Sequence, residues 1–451
     1  MTPEPHAYRS RLIEKLAESL TGPIPVFTPR RVAGPVTLPG KATAVVGMRR
    51  AGKTTFLHQL RRERLIMGGV PRERLVYVNF EDEQLAGITA DQLRIIPEEY
   101  YRRFPTLRQR ETVTWCLDEI QTVPGWERFV RRLLDSERVE IFLSGSSAAL
   151  LSREIATAMR GRAWEVLLHP FSFEEVLRHK GQRVPEKAAF LSPAERSGIE
   201  RAFLDYLAAG GFPEAQGLDS ATRRRLLKDY VDVAMLRDVM ERHGIANLSA
   251  LRWLVRHLLG NAAALFSVEK FYGDLKSQGL RVSKDTVHQL LAHLHDCFLV
   301  RIVWMEAASE RQRMVNPRKV YPVDPGLIPV FDRTGRANLG HALETAVLIE
   351  LERRRMETTY IKTPSGREVD FLARPLAGDL ELIQVCADPT DPTTAEREIK
   401  ALEDAGAIYP EAKRRLLTLT ADAMPPRVPA GVIVQPAYEW MLATPEFSDR
   451  P

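Results

Sequence analysis

Residues Gly47–Thr54 read G-M-R-R-A-G-K-T, between the apolar run Thr43-Ala44-Val45-Val46 and Thr55-Phe56-Leu57-His58-Gln59-Leu60. Strand, glycine-framed loop and helix, in that order, are what a phosphate-binding loop requires. The glycines let backbone wrap close to an anion, the loop N–H groups point inward, and the helix N-terminus favours negative charge. Gly47, Met48, Arg49, Arg50, Ala51, Gly52, Lys53, Thr54 and Thr55 are therefore the candidate nucleotide contacts. Lys53 is expected to reach the β- and γ-phosphates, and Thr54 to be a Mg²⁺ ligand.

Working outward, strand-like and helix-like segments alternate. Leu75–Phe80, Val113–Leu117, Val139–Leu143 and Glu165–Leu168 read as four further strands. The stretches between them are long enough for helices, which predicts a parallel sheet covered on both faces. Asp118-Glu119 close the third strand, at the sheet edge where ligands of such folds bind. Asp118 is the candidate metal-shell residue and Glu119 the candidate general base. The fourth strand runs into Ser144-Gly145-Ser146-Ser147, a small polar group placed to sense the γ-phosphate. Ser146 is the first choice and Ser144 the second. Arg162, with Arg160 beside it, is the candidate arginine finger, in its own subunit or a neighbour's. No guanine-type N-K-x-D motif is present in the sequence, which favours ATP.

The remaining composition excludes several classes. The 451 residues are 44% hydrophobic and 27% charged, as in globular domains. Three cysteines far apart form no disulfide framework and no C-x-x-C metal pair. No run of apolar residues approaches a membrane span, and Met1–His6 has no signal pattern. A cytoplasmic location is expected. The net charge of +5 permits nucleic acid as a partner without requiring it.

Beyond Phe171 the pattern turns helical. Ser267–Tyr272, a turn with Gly279, a second helix Lys284–Leu294 capped by Ser283, and the strand Phe298–Val303 follow the order of a winged helix. The exposed face of that second helix reads Lys284, Asp285, His288, Gln289 and His293, mixed rather than basic. Further on, a helix with Glu344, a strand with Asp370 and a strand Leu382–Cys386 follow the plan of a restriction-endonuclease-like fold. Metal-dependent cleavage needs paired acids and a lysine. Glu344 and Asp370 are present, but Gln384 and Cys386 stand where an acid and the lysine belong. The domain reads as catalytically degenerate.

These motifs resemble those of the prokaryotic ATP-binding proteins that pair an AAA-type, additional-strand P-loop domain with a C-terminal domain of unknown function 4143. The resemblance rests on Gly47–Thr55, Leu117–Glu127 (L-D-E-I-Q-T-V-P-G-W-E), Leu143–Ser147 and Arg160–Arg162. It continues with His169–Glu175 (H-P-F-S-F-E-E), Gly210–Glu214 (G-G-F-P-E), Leu236–Asp238, Val323–Leu327 (V-D-P-G-L) and Gly366–Phe371. It implies ATP and Mg²⁺ as cofactors and the Walker roles assigned above. The expected domains are 1–40, leading helix and linker; 41–170, P-loop ATPase; 171–245, helical; 246–315, winged helix; and 316–440, restriction-endonuclease-like α/β. The expected function is Mg²⁺-dependent ATP binding and hydrolysis coupled to the conformation of the C-terminal domains. The alternatives are an ATP-regulated DNA-binding protein and, behind it, an ATP-dependent nuclease. DNA, a protein partner at the C-terminal domain and a second copy of the chain are the partners considered.

Overall fold

The structure is a computed structural model. It describes residues 5–145, 159–185, 191–245, 247–280, 282–332, 338–376 and 378–443. The chain forms two compact units, Met1–Leu168 and His169–Pro451.

The first unit opens with helix α1 (Pro5–Thr21), which buries Tyr8, Leu12 and Leu16. After the proline-rich connector come β1 (Ala42–Val46), α2 (Lys53–Ile66), β2 (Leu75–Asn79), α3 (Ile95–Arg103) and β3 (Val113–Asp118). Then follow α4 (Trp126–Ser136), β4 (Val139–Gly145) and β5 (Ala163–Leu167). All five strands pair in parallel, in the order β2-β3-β4-β1-β5. β1 and β3 are buried along their whole length, which is why they read as continuous apolar runs rather than alternating ones. α4 buries Trp126, Phe129, Val130 and Leu133, a single helical stripe. The key topological fact is the position of β4. It lies between the loop strand β1 and the acidic strand β3, so an additional strand separates the two.

The second unit begins with α5 (Phe173–His179), α6 (Pro193–Ala209) and α7 (Ser220–Val233), which continues into a π-helical segment, Ala234–Glu241. Next are α8 (Leu248–Gly260), β6 (Leu265–Phe266), α9 (Val268–Ser277), α10 (Lys284–Asp296), β7 (Val300–Met305) and β8 (Arg318–Pro322). The last part holds α11 (Leu339–Arg353), β9 (Glu357–Lys362), β10 (Glu368–Arg374), β11 (Glu381–Val385), α12 (Pro392–Ile408), β12 (Lys413–Thr418) and β13 (Val432–Pro436). These strands form one mixed sheet, β13-β12-β11-β10-β9-β7-β8-β6. The helix-turn-helix order and the α10 cap at Ser283 match expectation, with Ser283 Oγ accepting from Thr286 N–H at 3.0 Å.

The expected boundary at 315/316 falls inside this sheet. It separates β7 from β8, which pair antiparallel, and β7 continues into β9 by parallel pairing. The segments read as two modules thus share one sheet.

Three of the quoted motifs meet in a single knot. Phe171 N–H donates to the Gly211 carbonyl at 2.7 Å, and Gly211 N–H donates to Asp324 Oδ2 at 2.7 Å. Asp324 Oδ1 accepts from Gly326 N–H at 2.9 Å. A Cβ on Gly211 would lie 2.0 Å from the Phe171 carbonyl oxygen, so backbone approaches here as only glycine permits. Burial pushes the Asp324 carboxyl up to about 6, against the two backbone donors. H-P-F, G-G-F-P and V-D-P-G-L therefore have a structural explanation, with no ligand needed.

Candidate functional site

The phosphate loop sits where β1 ends. Gly47 must be glycine because β5 ends beside it: a Cβ there would lie 2.1 Å from the Leu168 carbonyl oxygen. Arg50 and Gly52 both take positive φ, 67° and 98°, which turns the loop back toward the N-terminus of α2. Lys53 is buried and donates to the carbonyls of Gly47 and Met48, both at 3.0 Å, so its ammonium lies folded along the loop. Thr54 and Thr55 are exposed in the first turn of α2, whereas Met48 and Ala51 are buried. Arg49 pairs with Glu81 at 3.3 Å.

Because all strands run the same way, the ends of β1, β3 and β4 lie on one edge. Asp118 is 1% exposed, and both its oxygens accept hydrogen bonds. The Ser144 hydroxyl donates to Oδ1, and the Tyr77 hydroxyl to Oδ2 at 2.8 Å. Ser144 Oγ also accepts from Glu119 N–H at 3.0 Å. One serine on the additional strand thus ties together both residues of the acidic pair. Glu119 takes a left-handed backbone conformation (φ 52°), and Gln121 Nε2 donates to its carboxylate. Burial raises the Glu119 carboxyl above the ordinary range, Lys53 opposes the shift and Asp118 adds to it. A carboxyl shifted in that direction suits a base that must take a proton near neutral pH.

The expected sensor Ser146 lies outside the described residues; Ser144, the second choice, is the serine seen at the acidic pair. Arg162 requires correction as a group for this chain's own loop. It precedes β5, and its carbonyl accepts from Ala42 N–H at 2.9 Å, which fixes it at the start of β1. The loop follows the other end of β1. Five residues at ~3.3 Å each separate the two edges by about 17 Å. The Arg162 guanidinium pairs instead with Asp135 of α4.

One contact had no signal in the sequence. The connector residue Arg30 is 6% exposed, and its guanidinium donates to the Ala51 carbonyl at 2.8 Å. Its backbone is clamped by Gln59 of α2, through N–H to Oε1 at 2.7 Å and Nε2 to the carbonyl at 2.9 Å. The proline-rich connector thereby braces the loop.

In the second unit, Glu344 and Asp370 do come together, but around a lysine. Lys319 of β8 lies with its Nζ 2.9 Å from Glu344, 2.8 Å from Asp370 and 2.7 Å from Glu368. Its side chain is 4% exposed. Tyr321, two residues on and on the same strand face, donates to Glu344 at 2.7 Å. Burial pushes the Glu344 carboxyl up to about 7, Asp370 adding and Lys319 opposing. Burial opposes the Lys319 ammonium, but the surrounding carboxylates outweigh it and hold the charge.

Gln384 is committed elsewhere, accepting from Asp370 N–H at 3.2 Å and donating to Glu398 at 2.7 Å. Cys386 packs at the edge of a separate apolar cluster, its thiol pushed up to about 11 by burial. β8 thus places a lysine among the acids as their ion-pair partner, not at the position of Cys386. Among the described residues no group of three or more His, Cys, Asp or Glu side chains is placed to hold a metal.

The candidate reading helix α10 is close to neutral on its exposed face. Lys284 pairs with Glu269, and His293 stacks on His243 with ring centroids 3.7 Å apart. No described helix is long and apolar enough to cross a membrane.

Residues 39–177 match the family model described as an AAA domain. Residues 200–336 match a domain of unknown function, DUF8612, in place of the domain 4143 that the motifs suggested. The uncharacterized protein MJ1544 of Methanocaldococcus jannaschii is 34% identical over 372 residues, covering 82% of this chain and 79% of that protein. An uncharacterized Haemophilus influenzae protein is 28% identical over 362 residues, covering 80% and 86%. Among solved structures, the Walker-type ATPase PABY2304 of Pyrococcus abyssi is similar at 16% identity, covering 72% of this chain and 95% of that one, with a TM-score of 0.39.

Proposed function

This chain belongs to the family of the uncharacterized M. jannaschii protein MJ1544, and we propose that it is a Mg²⁺-dependent ATPase. The observation that carries this reading is Ser144. On a strand inserted between loop and acid, its one hydroxyl holds both Asp118 and the Glu119 backbone.

In this reading the loop N–H groups from Gly47 to Thr55 receive the phosphates, and Lys53 leaves its loop carbonyls to neutralise them. Thr54 and Asp118 would hold Mg²⁺, whose chemistry is charge neutralisation on the transferred phosphoryl group. The Asp118 oxygens already accept from two hydroxyls, which suits contact through ordered water. Glu119, fixed by Ser144 and Gln121, takes the proton of the attacking water.

Lys53→Ala should abolish nucleotide binding in a Mg²⁺ titration with ATP. Glu119→Gln should bind ATP and lose most of its turnover. If wild-type protein fails to bind ATP, the reading is lost.

For the C-terminal domain we propose a non-cleaving role, because Lys319 neutralises from within the carboxylates that a nuclease would offer to metal. The test is cleavage of DNA with Mg²⁺ or Mn²⁺; activity abolished by Asp370→Ala would restore the nuclease reading.

A further inference from the structure

The second unit carries an open basic groove that neither the ATP reading nor α10 uses. Arg224 and Lys228 lie one turn apart on α7, and Arg252, Trp253 and Arg256 lie on α8. A short helix, Ile328–Phe331, packs against both and closes the floor. The cavity between them is ≈ 950 Å³, lined by Arg224, Lys228, Trp253, Arg256 and Asn261, with Asp332 the one carboxylate among its described lining residues. A smaller cavity of ≈ 180 Å³ adjoins it, lined by Lys228, Arg252 and Arg256 together with the carboxylate of Asp232, so cations outnumber acids four to two across the pair.

The four cations are exposed, and their side chains make no ion pair or hydrogen bond among the described residues. Arg102, Arg108, Lys284 and Lys400 are exposed cations that each face a carboxylate, whereas Lys276 and Lys362 stand unpaired singly elsewhere among the described residues; here four such cations line one groove. Trp253 is 46% exposed, the largest side chain of α8, and it stands between Arg252 and Arg256 on the helix face opposite the buried leucines. A solvated charged face alone explains the cations but not a tryptophan set among them.

We infer that this groove binds a single-stranded nucleic acid, with phosphates on Arg224, Lys228 and Arg256 and a base stacked on Trp253. A cationic groove that tracks the backbone, with an aromatic platform for bases, is the chemistry of sequence-tolerant strand binding. A lone anion would use the cations and leave the indole idle. A duplex hides its base faces from the ring.

The test is fluorescence anisotropy of the full chain with labelled oligothymidylate, the matching duplex and inorganic polyphosphate, across a salt series. Oligothymidylate should bind best and quench tryptophan fluorescence. Trp253→Ala should weaken it roughly tenfold while leaving polyphosphate unaffected. Arg224→Gln, Lys228→Gln and Arg256→Gln together should reduce the slope of log affinity against log salt by about 2, at ~0.7 per lost phosphate contact.

Lys284→Gln on α10 should change nothing. Unaltered melting of these exposed-site variants shows that the fold is intact. Lys53→Ala should retain strand binding, so failure here is distinct from failure of the ATPase reading. No binding of oligothymidylate, equal or better binding of duplex or polyphosphate, or an unchanged slope in the triple variant overturns the inference.

Discussion

Replacing Lys319 with methionine keeps length and volume but removes the one cation among three carboxylates. Its ammonium lies within 2.9 Å of Glu344, Glu368 and Asp370, and its side chain is 4% exposed. Removing one partner of a buried ion cluster typically costs about 3–5 kcal/mol, because the remaining charges stay desolvated. That is a fifth or more of the roughly 5–15 kcal/mol that holds a domain together.

The pH dependence is the sharper part. The folded-state pKa of Glu344 is raised, so stability from this group is full below its ordinary value and is lost as pH rises through about 7. In Lys319→Met a proton on Glu344 substitutes for the missing ammonium. The defect should therefore be severe at about pH 8 and largely relieved at about pH 5.5. Hydrogen exchange of peptides spanning β8 and β10 reads this locally. Exchange through opening of the sheet should accelerate on the order of 10²–10³-fold at the higher pH. Adding Glu344→Gln should recover part of the loss, with a coupling of about 1–3 kcal/mol. Unchanged exchange, strict additivity of the two substitutions, or a defect equal at both pH values would refute the reasoning.

The remaining expectations concern both units. Glu119→Gln should reduce turnover by roughly 10²–10⁴ with ATP binding retained, and the wild-type acid limb should lie above the ordinary glutamate range, as a pH–rate profile would reveal. Arg162→Ala should leave turnover within about twofold and stability within about 1 kcal/mol, since its exposed pair with Asp135 contributes little; a collapse of turnover would point to action across subunits. Arg30→Ala should lower the stability of the first unit by about 1.5–3 kcal/mol, measured by urea unfolding, because the buried Ala51 carbonyl loses a charged donor. Gly211→Ala should cost about 4 kcal/mol or more, seen as insoluble expression or a large drop in melting temperature, since its Cβ meets the Phe171 carbonyl.

The nucleotide edge was legible because its requirements are local. A loop needs its glycines and lysine in sequence, and a buried parallel strand announces itself as an apolar run ending in Asp118-Glu119. Groups supplied from elsewhere in the chain left no local mark. Tyr77 is one aromatic in an ordinary strand, yet its hydroxyl completes the shell of Asp118. Arg30 lies in a segment that reads as linker. Arg162 shows the converse. Its nearness in sequence to a core strand suggested nearness to phosphate, but it precedes that strand, and parallel pairing sends it to the far edge.

Lys319 was missed because β8 is short and lies between Pro317 and Pro322, so it reads as an edge. The period-two pair Lys319 and Tyr321 was the available signal. It required knowing that β8 faces Glu344. The register shift in β10 between Val369 and Leu372, beside Asp370, is likewise set by pairing with β9 and has no mark in the sequence.

The parallel pairing of β7 with β9 bears on how this protein can be taken apart. Trp304 lies opposite Thr359 and Met305 opposite Tyr360, while Glu306 bridges to Arg374 at 2.8 Å. Cutting between 315 and 316 would tear a ladder down its middle and give each fragment a raw, hydrogen-bond-hungry edge. Such edges recruit other chains. Fragments divided there should aggregate when expressed alone and regain solubility when co-expressed. A protease that nicks the intervening residues should leave two pieces that still elute together.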